Sequence, residues 1–140
     1  MAARNRIKGR DSSGSQIKAR PTTVELDDSE TKPPVFSFEY LQHGWCVQDC
    51  QQDERSKMLD KLRRLSSLTW RDIRQQDRHH LGSEIIDRGS INASIPSFLT
   101  DDVKLLAFRA FDRAAMVGYR SGRIFHVLWV DRTFTLYDHG

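Results

Sequence analysis

The chain has 140 residues, of which 38% are hydrophobic and 29% are charged, and its formal net charge at pH 7 is +3. This length predicts one domain, and no run of about 18 apolar residues is present that would indicate a membrane-spanning helix. Two cysteines are too few for a disulfide framework, which favours reduced thiols and a cytoplasmic protein. The modest positive charge permits a nucleic-acid partner without requiring one.

The first 34 residues differ in character from the rest of the chain. Positions 1–20 hold six basic residues and one acidic residue, whereas positions 21–40 hold one basic and five acidic residues. Residues 1–34 have almost no apolar periodicity and cannot bury enough apolar surface to offset chain entropy. We therefore predict a disordered tail over 1–34, either solvated or acting as an arm for nucleic acid, and a folded domain over 35–140.

The domain begins with a predicted strand and two predicted helices. Phe36, Phe38 and Tyr40 alternate with smaller or polar residues, which predicts a strand over 35–41. A helix is predicted over 51–66 because its apolar residues recur on one stripe. The members of that stripe are Met58, Leu59, Leu62 and Leu65.

A second, short helix is predicted from Trp70 to about Asp77, and it would form a helical hairpin with the first. Thr69 is the expected N-cap residue of this helix, and Asp72, three residues later, completes an imperfect capping box. Residues 78–102 follow with little periodicity. Long loops of this kind are often functional, and a short strand around residues 84–86 is compatible with this stretch.

The last part of the chain predicts four strands, at residues 104–109, 116–120, 123–130 and 133–137. Ser121-Gly122 and Asp131-Arg132 are the expected turns between the last three strands. Residues 124–130 are apolar on both faces, which predicts a central strand. The predicted fold is therefore α+β, with an antiparallel sheet of four to five strands and the helical hairpin on one face, in the order β-α-α-β-β-β-β.

Two-residue turns would place four polar aromatic side chains on one face of this sheet. In that register His126 faces Val117 on one side and Tyr137 on the other, while Tyr119 and His139 lie on the same face. Two imidazoles and two phenols suit cleavage of an RNA chain, because the 2′-hydroxyl needs a base and the leaving oxygen needs an acid. The alternative is that a Tyr–His pair across two strands only packs and hydrogen-bonds.

Basic residues complete this hypothetical site. Arg109, Arg120 and Arg123 lie on or beside the same strands, and the guanidinium fork matches phosphate oxygens, so no metal or other cofactor is needed. Solvated rim charges are the alternative for these arginines. A zinc site is a further alternative, although the spacing of its two cysteines is not the usual one. Its ligands would be Cys46, Cys50, His79 and His80.

Several segments resemble a small-protein group within or near the RelE/ParE superfamily of bacterial type II toxins. They are residues 36–41 (FSFEYL), 68–73 (LTWRDI), 78–84 (RHHLGSE), 106–109 (LAFR), 116–120 (MVGYR), 125–131 (FHVLWVD) and 134–140 (FTLYDHG). The strand order β-α-α-β-β-β is also that of the superfamily. RelE-like members cut mRNA on the ribosome with basic residues and often a tyrosine or histidine, whereas ParE-like members poison DNA gyrase.

The resemblance implies a toxin that is neutralised by a cognate antitoxin protein, with RNA, free or on the ribosome, as its target and no membrane partner. As a metal-independent endoribonuclease it would use His126, Tyr137 and Arg109 as catalytic residues. The residues expected to bind substrate are Tyr119, Arg120, Arg123, His79, His80 and His139. The alternative is a non-enzymatic toxin or binding module of the same fold, such as a gyrase poison or an adaptor for nucleic acid or protein.

Overall fold

The computed structural model describes residues 29–77 and 81–138, and in these ranges it shows five strands and two α-helices. The strands are β1 (Val35–Ser37), β2 (Ser83–Ile86), β3 (Leu105–Phe111), β4 (Ala114–Ser121) and β5 (Ile124–Asp131). The helices are α1 (Gln52–Leu65) and α2 (Trp70–Arg74), and single 3-10 turns occupy Ser29–Thr31, Val47–Asp49 and Arg88–Ser90. No helix in the described ranges is long and apolar enough to cross a membrane.

All five strands belong to one sheet, in the order β1-β5-β4-β3-β2. Strands β2 to β5 pair antiparallel with their neighbours, whereas β1 pairs parallel with β5. The α+β class is thus confirmed, but the sheet is mixed and the prediction of a purely antiparallel sheet is wrong. Strand β5 has a neighbour on each side, as its apolar sequence predicts.

Both helices pack on one face of the sheet. Met58 and Leu65 of α1 join Trp70 and Ile73 of α2 in a core that also contains buried side chains of β3, β4 and β5. Leu59, predicted in the same stripe, is instead 68% exposed, because the buried positions of α1 are spaced by seven residues and exclude it. Helix α1 spans nearly all of the predicted range.

The start of α2 is fixed by the capping box at Thr69. The backbone N–H of Asp72 donates to Thr69 Oγ1 at 3.1 Å, and the backbone N–H of Thr69 donates to Asp72 Oδ2 at 3.2 Å. Two donors at the helix N-terminus are therefore satisfied by the pair. The helix ends at Arg74, earlier than predicted.

The other face of the sheet is covered by loops rather than by helices. Residues 91–103 lay Ile91, Ile95 and Leu99 against this face, and the segment after β5 adds Leu136 and Tyr137. The backbone N–H of Asn92 donates to the carbonyl oxygen of Leu136 at 2.7 Å, so the two covering segments are joined. The stretch with little periodicity, 78–102, thus supplies part of a second core as well as strand β2.

The predicted strand over residues 133–137 is absent, and a buried carboxylate explains why. Asp131 is 0% exposed, and its Oδ1 accepts the backbone N–H groups of Thr135 at 2.9 Å and Leu136 at 3.1 Å. Phe134 takes a positive φ of 61° within this turn. These N–H groups therefore bond to the Asp131 carboxylate and not to a neighbouring strand, and the predicted pairing of His126 with Tyr137 does not form.

The β4–β5 turn lies one residue later than predicted. Ser121 pairs with Ile124, and Gly122, with φ +61°, occupies the first central position, where a turn of the II′ kind requires glycine. His126 consequently pairs with Tyr119 instead of Val117. The shift changes each partner by two residues, which keeps the side chains on the predicted face.

The chain just before β1, which we assigned to the tail, contacts the domain. The backbone N–H of Trp70 donates to the carbonyl oxygen of Lys32 at 3.1 Å, and Arg123 Nε donates to the carbonyl oxygen of Pro33 at 3.0 Å. Ser29 is buried. Residues 29–34 are thus part of the folded unit, and the rest of the predicted tail lies outside the described residues.

Candidate functional site

Four ring side chains meet on the sheet face opposite the helices: Tyr40, Phe98, Tyr119 and His126. The imidazole of His126 stacks on the Tyr119 ring, with centroids 4.8 Å apart and an interplanar angle of 20°. The Tyr40 ring lies 5.3 Å from the imidazole, and Phe98 lies 4.9 Å from Tyr40 and 6.3 Å from Tyr119. We refer to these four residues as the aromatic cluster.

Three separate parts of the chain build the aromatic cluster. Strands β4 and β5 place Tyr119 directly opposite His126. Strand β1 ends at Ser37, next to His126 in the parallel register, so the predicted strand to residue 41 is replaced by a turn that carries Tyr40 to the imidazole. Phe98 comes from the long loop and is 51% exposed.

A β-bulge next to the cluster sets the position of His126. The β4–β5 register shifts between Val117 and Gly118, and Leu128 is the extra residue on β5. A Cβ atom at position 118 would collide with the backbone carbonyl oxygen of His126. Glycine is therefore required here, since it alone lets the β4 backbone approach the strand that carries the histidine.

His126 has an unsatisfied ring nitrogen. Its Nδ1 is buried and has no hydrogen-bond partner among the described residues, although the residue as a whole is partly exposed. Leaving a buried polar atom unpaired costs about 1–3 kcal/mol, and such atoms in native proteins call for a specific explanation.

The Tyr119 phenol is held in its protonated form. Burial, followed by the neighbouring Tyr40 and Glu39, raises the pKa of Tyr119 above its ordinary value. A neutral phenol can donate a hydrogen bond, and a raised pKa makes it a weaker proton donor. The cluster thus places a nitrogen base beside a hydroxyl donor.

The predicted acid–base partner of His126 lies elsewhere. Tyr137 belongs to the covering segment after β5 and is buried in the second core, at 8% exposure, because the turn capped by Asp131 replaces the predicted strand. Among the described residues, the rings in contact with His126 are those of Tyr40 and Tyr119. Tyr119, predicted as a substrate-binding residue, occupies the position that we assigned to Tyr137.

Arg120 is engaged with residues on the helix side of the sheet. Its guanidinium lies 4.2 Å from the centroid of the Trp70 ring and forms an ion pair with Glu30, at 2.5 Å from Nη2 to Oε2. The same Nη2 donates to Ser29 Oγ at 3.1 Å. Arg120 therefore holds the 3-10 turn at residues 29–31 and is not brought to His126.

Arg123 and Arg109 are also separated from the aromatic cluster. Arg123 donates to the Pro33 carbonyl oxygen. Arg109 pairs with Ala115, four residues from Tyr119 along β4, which corresponds to about 13 Å at the rise of a strand. Its Nη1 donates to the carbonyl oxygen of Asp112 at 3.2 Å, and it lines a groove beside α1. The contacts described for Arg109, Arg120 and Arg123 are with other groups, and their role beside His126 stays a prediction.

Three residues that we predicted to bind substrate, His79, His80 and His139, lie outside the described residues. Cys46 is partly exposed and Cys50 is buried, and both are free thiols. Within residues 29–77 and 81–138, no group of three or more His, Cys, Asp or Glu side chains is arranged to hold a metal ion.

Sequence reasoning missed Tyr40 and Phe98 as members of the site. Tyr40 was assigned to a strand, where alternation gave no reason to place it near His126. Phe98 falls in the loop that we expected to be functional because of its length, and that was the one available signal.

The chain matches no family model, no curated protein and no solved structure.

Proposed function

We propose that this protein is a metal-independent endoribonuclease and the toxin of a type II toxin–antitoxin pair, with a RelE/ParE-like fold and with His126 as its proton-transferring group. The observation that supports the proposal is the partly exposed imidazole of His126 in contact with the rings of Tyr40 and Tyr119. This arrangement provides a base and a hydroxyl donor at one place.

The aromatic cluster also suits single-stranded RNA. Unpaired bases stack on exposed aromatic rings, and Phe98 presents such a ring within stacking distance of Tyr40 and Tyr119. With a base on Phe98, the adjoining ribose and phosphate would lie over His126. The imidazole would take the proton of the 2′-hydroxyl as the 2′-oxygen bonds to phosphorus and the bond from phosphorus to the 5′-oxygen breaks. The Tyr119 phenol would donate a hydrogen bond to a phosphate oxygen, and the 5′-oxygen would take its proton from water.

Cleavage of an RNA oligonucleotide by the purified protein tests the catalytic part of the proposal. We expect His126→Gln to lower the rate by about a hundredfold or more, which is the usual contribution of a general acid or base. His43→Gln is the matched control, because His43 is exposed and is not part of the cluster. No cleavage by the wild type, or equal rates for His126→Gln and the wild type, would contradict the assignment.

Two tyrosine substitutions test whether Tyr119 or Tyr137 supplies the hydroxyl donor of the site. Tyr119→Phe removes the hydroxyl beside His126 and should reduce cleavage by tenfold or more, on the order of the loss of one charge-assisted hydrogen bond. Tyr137→Phe removes a hydroxyl in the second core and should leave the rate within about twofold. The reverse result would restore Tyr137 as the acid and exclude Tyr119.

The toxin role is tested by induced expression in bacteria. We expect the wild type to arrest growth, the His126→Gln variant to permit growth, and the product of the adjacent gene to relieve the arrest as its antitoxin. Growth of the wild-type strain at the rate of the uninduced strain would refute this role, whatever the activity in vitro.

A non-enzymatic nucleic-acid-binding module is the second candidate. It is favoured by the positions of Arg120 and Arg123, which hold the chain before β1 instead of facing His126. This function predicts that RNA binds without being cut and that Phe98→Ala weakens binding while His126→Gln does not.

A further inference from the structure

The outward side of α1 carries an exposed leucine between two arginines. Arg55, Leu59 and Arg63 are spaced by four residues, so they form one ridge along the surface of the helix. All three residues are exposed, and Leu59 is one of the most exposed large apolar side chains of the described structure. We refer to these three residues as the α1 ridge.

Leu59 is not an isolated apolar residue. Leu62 follows it by three residues, where it is partly buried and packs against the core beneath α1. Residues three apart on a helix are neighbours, so the two leucines extend the apolar surface of the core to the ridge. Beside Leu59 lies a shallow depression of about 360 Å³, which is also lined by Gln52, Arg55 and Ser56. An apolar side chain of a partner can therefore be received next to Leu59.

The charges of the α1 ridge are not neutralised within the described structure. Neither Arg55 nor Arg63 makes a side-chain hydrogen bond or an ion pair among residues 29–77 and 81–138, whereas Arg64 of the same helix lies 3.4 Å from Asp60. At 3.6 residues per turn, roughly a third of the α1 surface, centred on Leu59, holds no acidic residue. A ligand that fits the ridge therefore has apolar surface in the middle and negative charge on both sides.

A second copy of this chain does not meet these requirements. Antiparallel packing of two α1 helices about Leu59 would place Arg55 of each copy against Arg63 of the other. Parallel packing in register would place each arginine against its own counterpart. Like charges at such positions are destabilising, so the ridge favours a different and acidic partner.

A nucleic acid or a membrane also matches the α1 ridge less well than a protein does. Unpaired bases stack on aromatic rings, whereas the centre of the ridge is aliphatic. Asp53 and Asp60 are exposed on the flank of α1 and would repel an extended anionic surface. A leucine side chain with carboxylates one turn away on each side is instead a pattern that an acidic amphipathic helix presents.

We propose that the α1 ridge is the docking surface for an acidic amphipathic helix of a partner protein. An apolar side chain of that helix packs on Leu59, and its carboxylates pair with Arg55 and Arg63. Each arginine lies about 6 Å from Leu59 along the helix axis, so carboxylates four residues to either side of the partner's apolar residue reach both guanidinium groups. A guanidinium group can bind a carboxylate through two parallel hydrogen bonds.

The size of the α1 ridge indicates a transient complex. The 14 residues of α1 extend over about 21 Å, and one face of such a helix buries less than the about 800 Å² per partner of a standard interface. The ridge shares no residue with the aromatic cluster. The docking proposal therefore does not depend on the proposed function.

Docking is measured by titrating the ¹⁵N-labelled protein with an alanine-based helical peptide with capped ends. One leucine of this acidic peptide has a glutamate four residues before it and another four residues after it. We expect shifts at the amides of α1 and a Kd that increases with salt concentration, while the amides of β5 stay in place. A control peptide with lysines instead of the glutamates should leave all these amides in place. Absence of shifts with the acidic peptide, or equal shifts with both peptides, would overturn the proposal.

Variants at exposed positions locate the contact without disturbing the fold. Leu59→Ser, and separately the double variant Arg55→Gln/Arg63→Gln, should each raise Kd about tenfold, through lost apolar burial and the loss of two exposed ion pairs. The control Arg71→Gln/Lys104→Gln removes the same charge from exposed positions outside α1 and should change Kd less than twofold. Equal weakening by the two double variants would show general electrostatic attraction and would refute the site.

Charge reversal and rival probes complete the test. The variant Arg55→Glu/Arg63→Glu should lose the acidic peptide and bind the lysine peptide at the same amides. Tighter binding of an RNA oligonucleotide or of phosphatidylserine vesicles than of the acidic peptide, lost in Leu59→Ser, would assign the ridge to that partner and overturn the proposal. A dimer in sedimentation that is lost in Leu59→Ser would identify a second copy as the occupant and would overturn it as well.

Discussion

Replacing Asp131 with alanine should destabilise the protein strongly, because this carboxylate holds the segment after β5. Its Oδ1 accepts two backbone N–H groups, from Thr135 and Leu136, and the residue is fully buried. An unsatisfied buried donor costs about 1–3 kcal/mol. Two donors would cost roughly 2–6 kcal/mol, and removal of a buried carboxylate offsets part of this, so we expect a loss of roughly 2–4 kcal/mol.

The same substitution should also loosen the second core. Leu136 is 0% exposed, and its carbonyl oxygen accepts the backbone N–H of Asn92. Release of the turn would therefore expose an apolar side chain worth about 2 kcal/mol of burial and free the covering loop. Hydrogen exchange should accelerate at residues 91–103 as well as at 133–137.

Urea denaturation followed by tryptophan fluorescence measures the loss. Asp131→Asn retains an oxygen that can accept both N–H groups and should lose clearly less stability than Asp131→Ala. Asp101→Ala is the control, since Asp101 is fully exposed and lies 3.8 Å from Arg88 in a surface ion pair, which contributes about 0–1 kcal/mol. A loss for Asp131→Ala that is no larger than that of the control would refute this account of the missing strand.

Two further predictions concern α1 and the β-bulge. Glu54 accepts from the Gln51 backbone N–H at 2.8 Å and from Arg132 Nε at 2.6 Å, and these bonds lower the pKa of its carboxyl below 4.5. The ionised Glu54 carboxylate therefore stabilises the folded protein fully above pH 4.5, and this stabilisation is lost as the pH falls through the lower pKa of the folded state. The free energy of unfolding of Glu54→Gln should consequently fall less steeply with decreasing pH than that of the wild type. An equally steep fall in both proteins would contradict this. Gly118→Ala should destabilise the protein by about 1–3 kcal/mol and lower the proposed activity of His126, because the added Cβ meets the His126 carbonyl oxygen. Gly89→Ala is the control and should cost less than about 1 kcal/mol, because its Cβ makes only ordinary van der Waals contacts. Equal losses of stability for the two variants would argue that the bulge does not position His126.

The features that the sequence predicts well depend on neighbouring residues. The apolar spacing of Met58, Leu62 and Leu65 indicates α1, and the Thr69–Asp72 pair marks the start of α2, because both signals act within one or two turns of helix. The face shared by Tyr119 and His126 is also predictable, since it depends only on alternation and a short turn. The turn lies one residue later than predicted, which shifts each pairing partner by two residues and therefore leaves both side chains on the same face.

The remaining features depend on contacts between distant parts of the chain. Asp131 caps the turn after β5 from a fully buried position, which the local sequence does not indicate. The apolar residues that follow it therefore predicted another strand. Arg109 lines the groove beside α1, and alternation cannot foresee the bulge that follows this residue. Tyr40 contacts His126, and Phe98 contacts Tyr40 and Tyr119, from segments that are distant in the chain, so local periodicity carries no information about these contacts.

The most direct test of the proposed function compares an RNA oligonucleotide with its all-2′-deoxy counterpart. If His126 activates the 2′-hydroxyl, the wild-type protein cuts the RNA to fragments that end in a cyclic phosphate and leaves the deoxy strand intact. His126→Gln should leave both strands intact, and His43→Gln should behave as the wild type. Intact RNA after incubation with the wild type, or equal cutting of the RNA and the deoxy strand, would contradict the proposal.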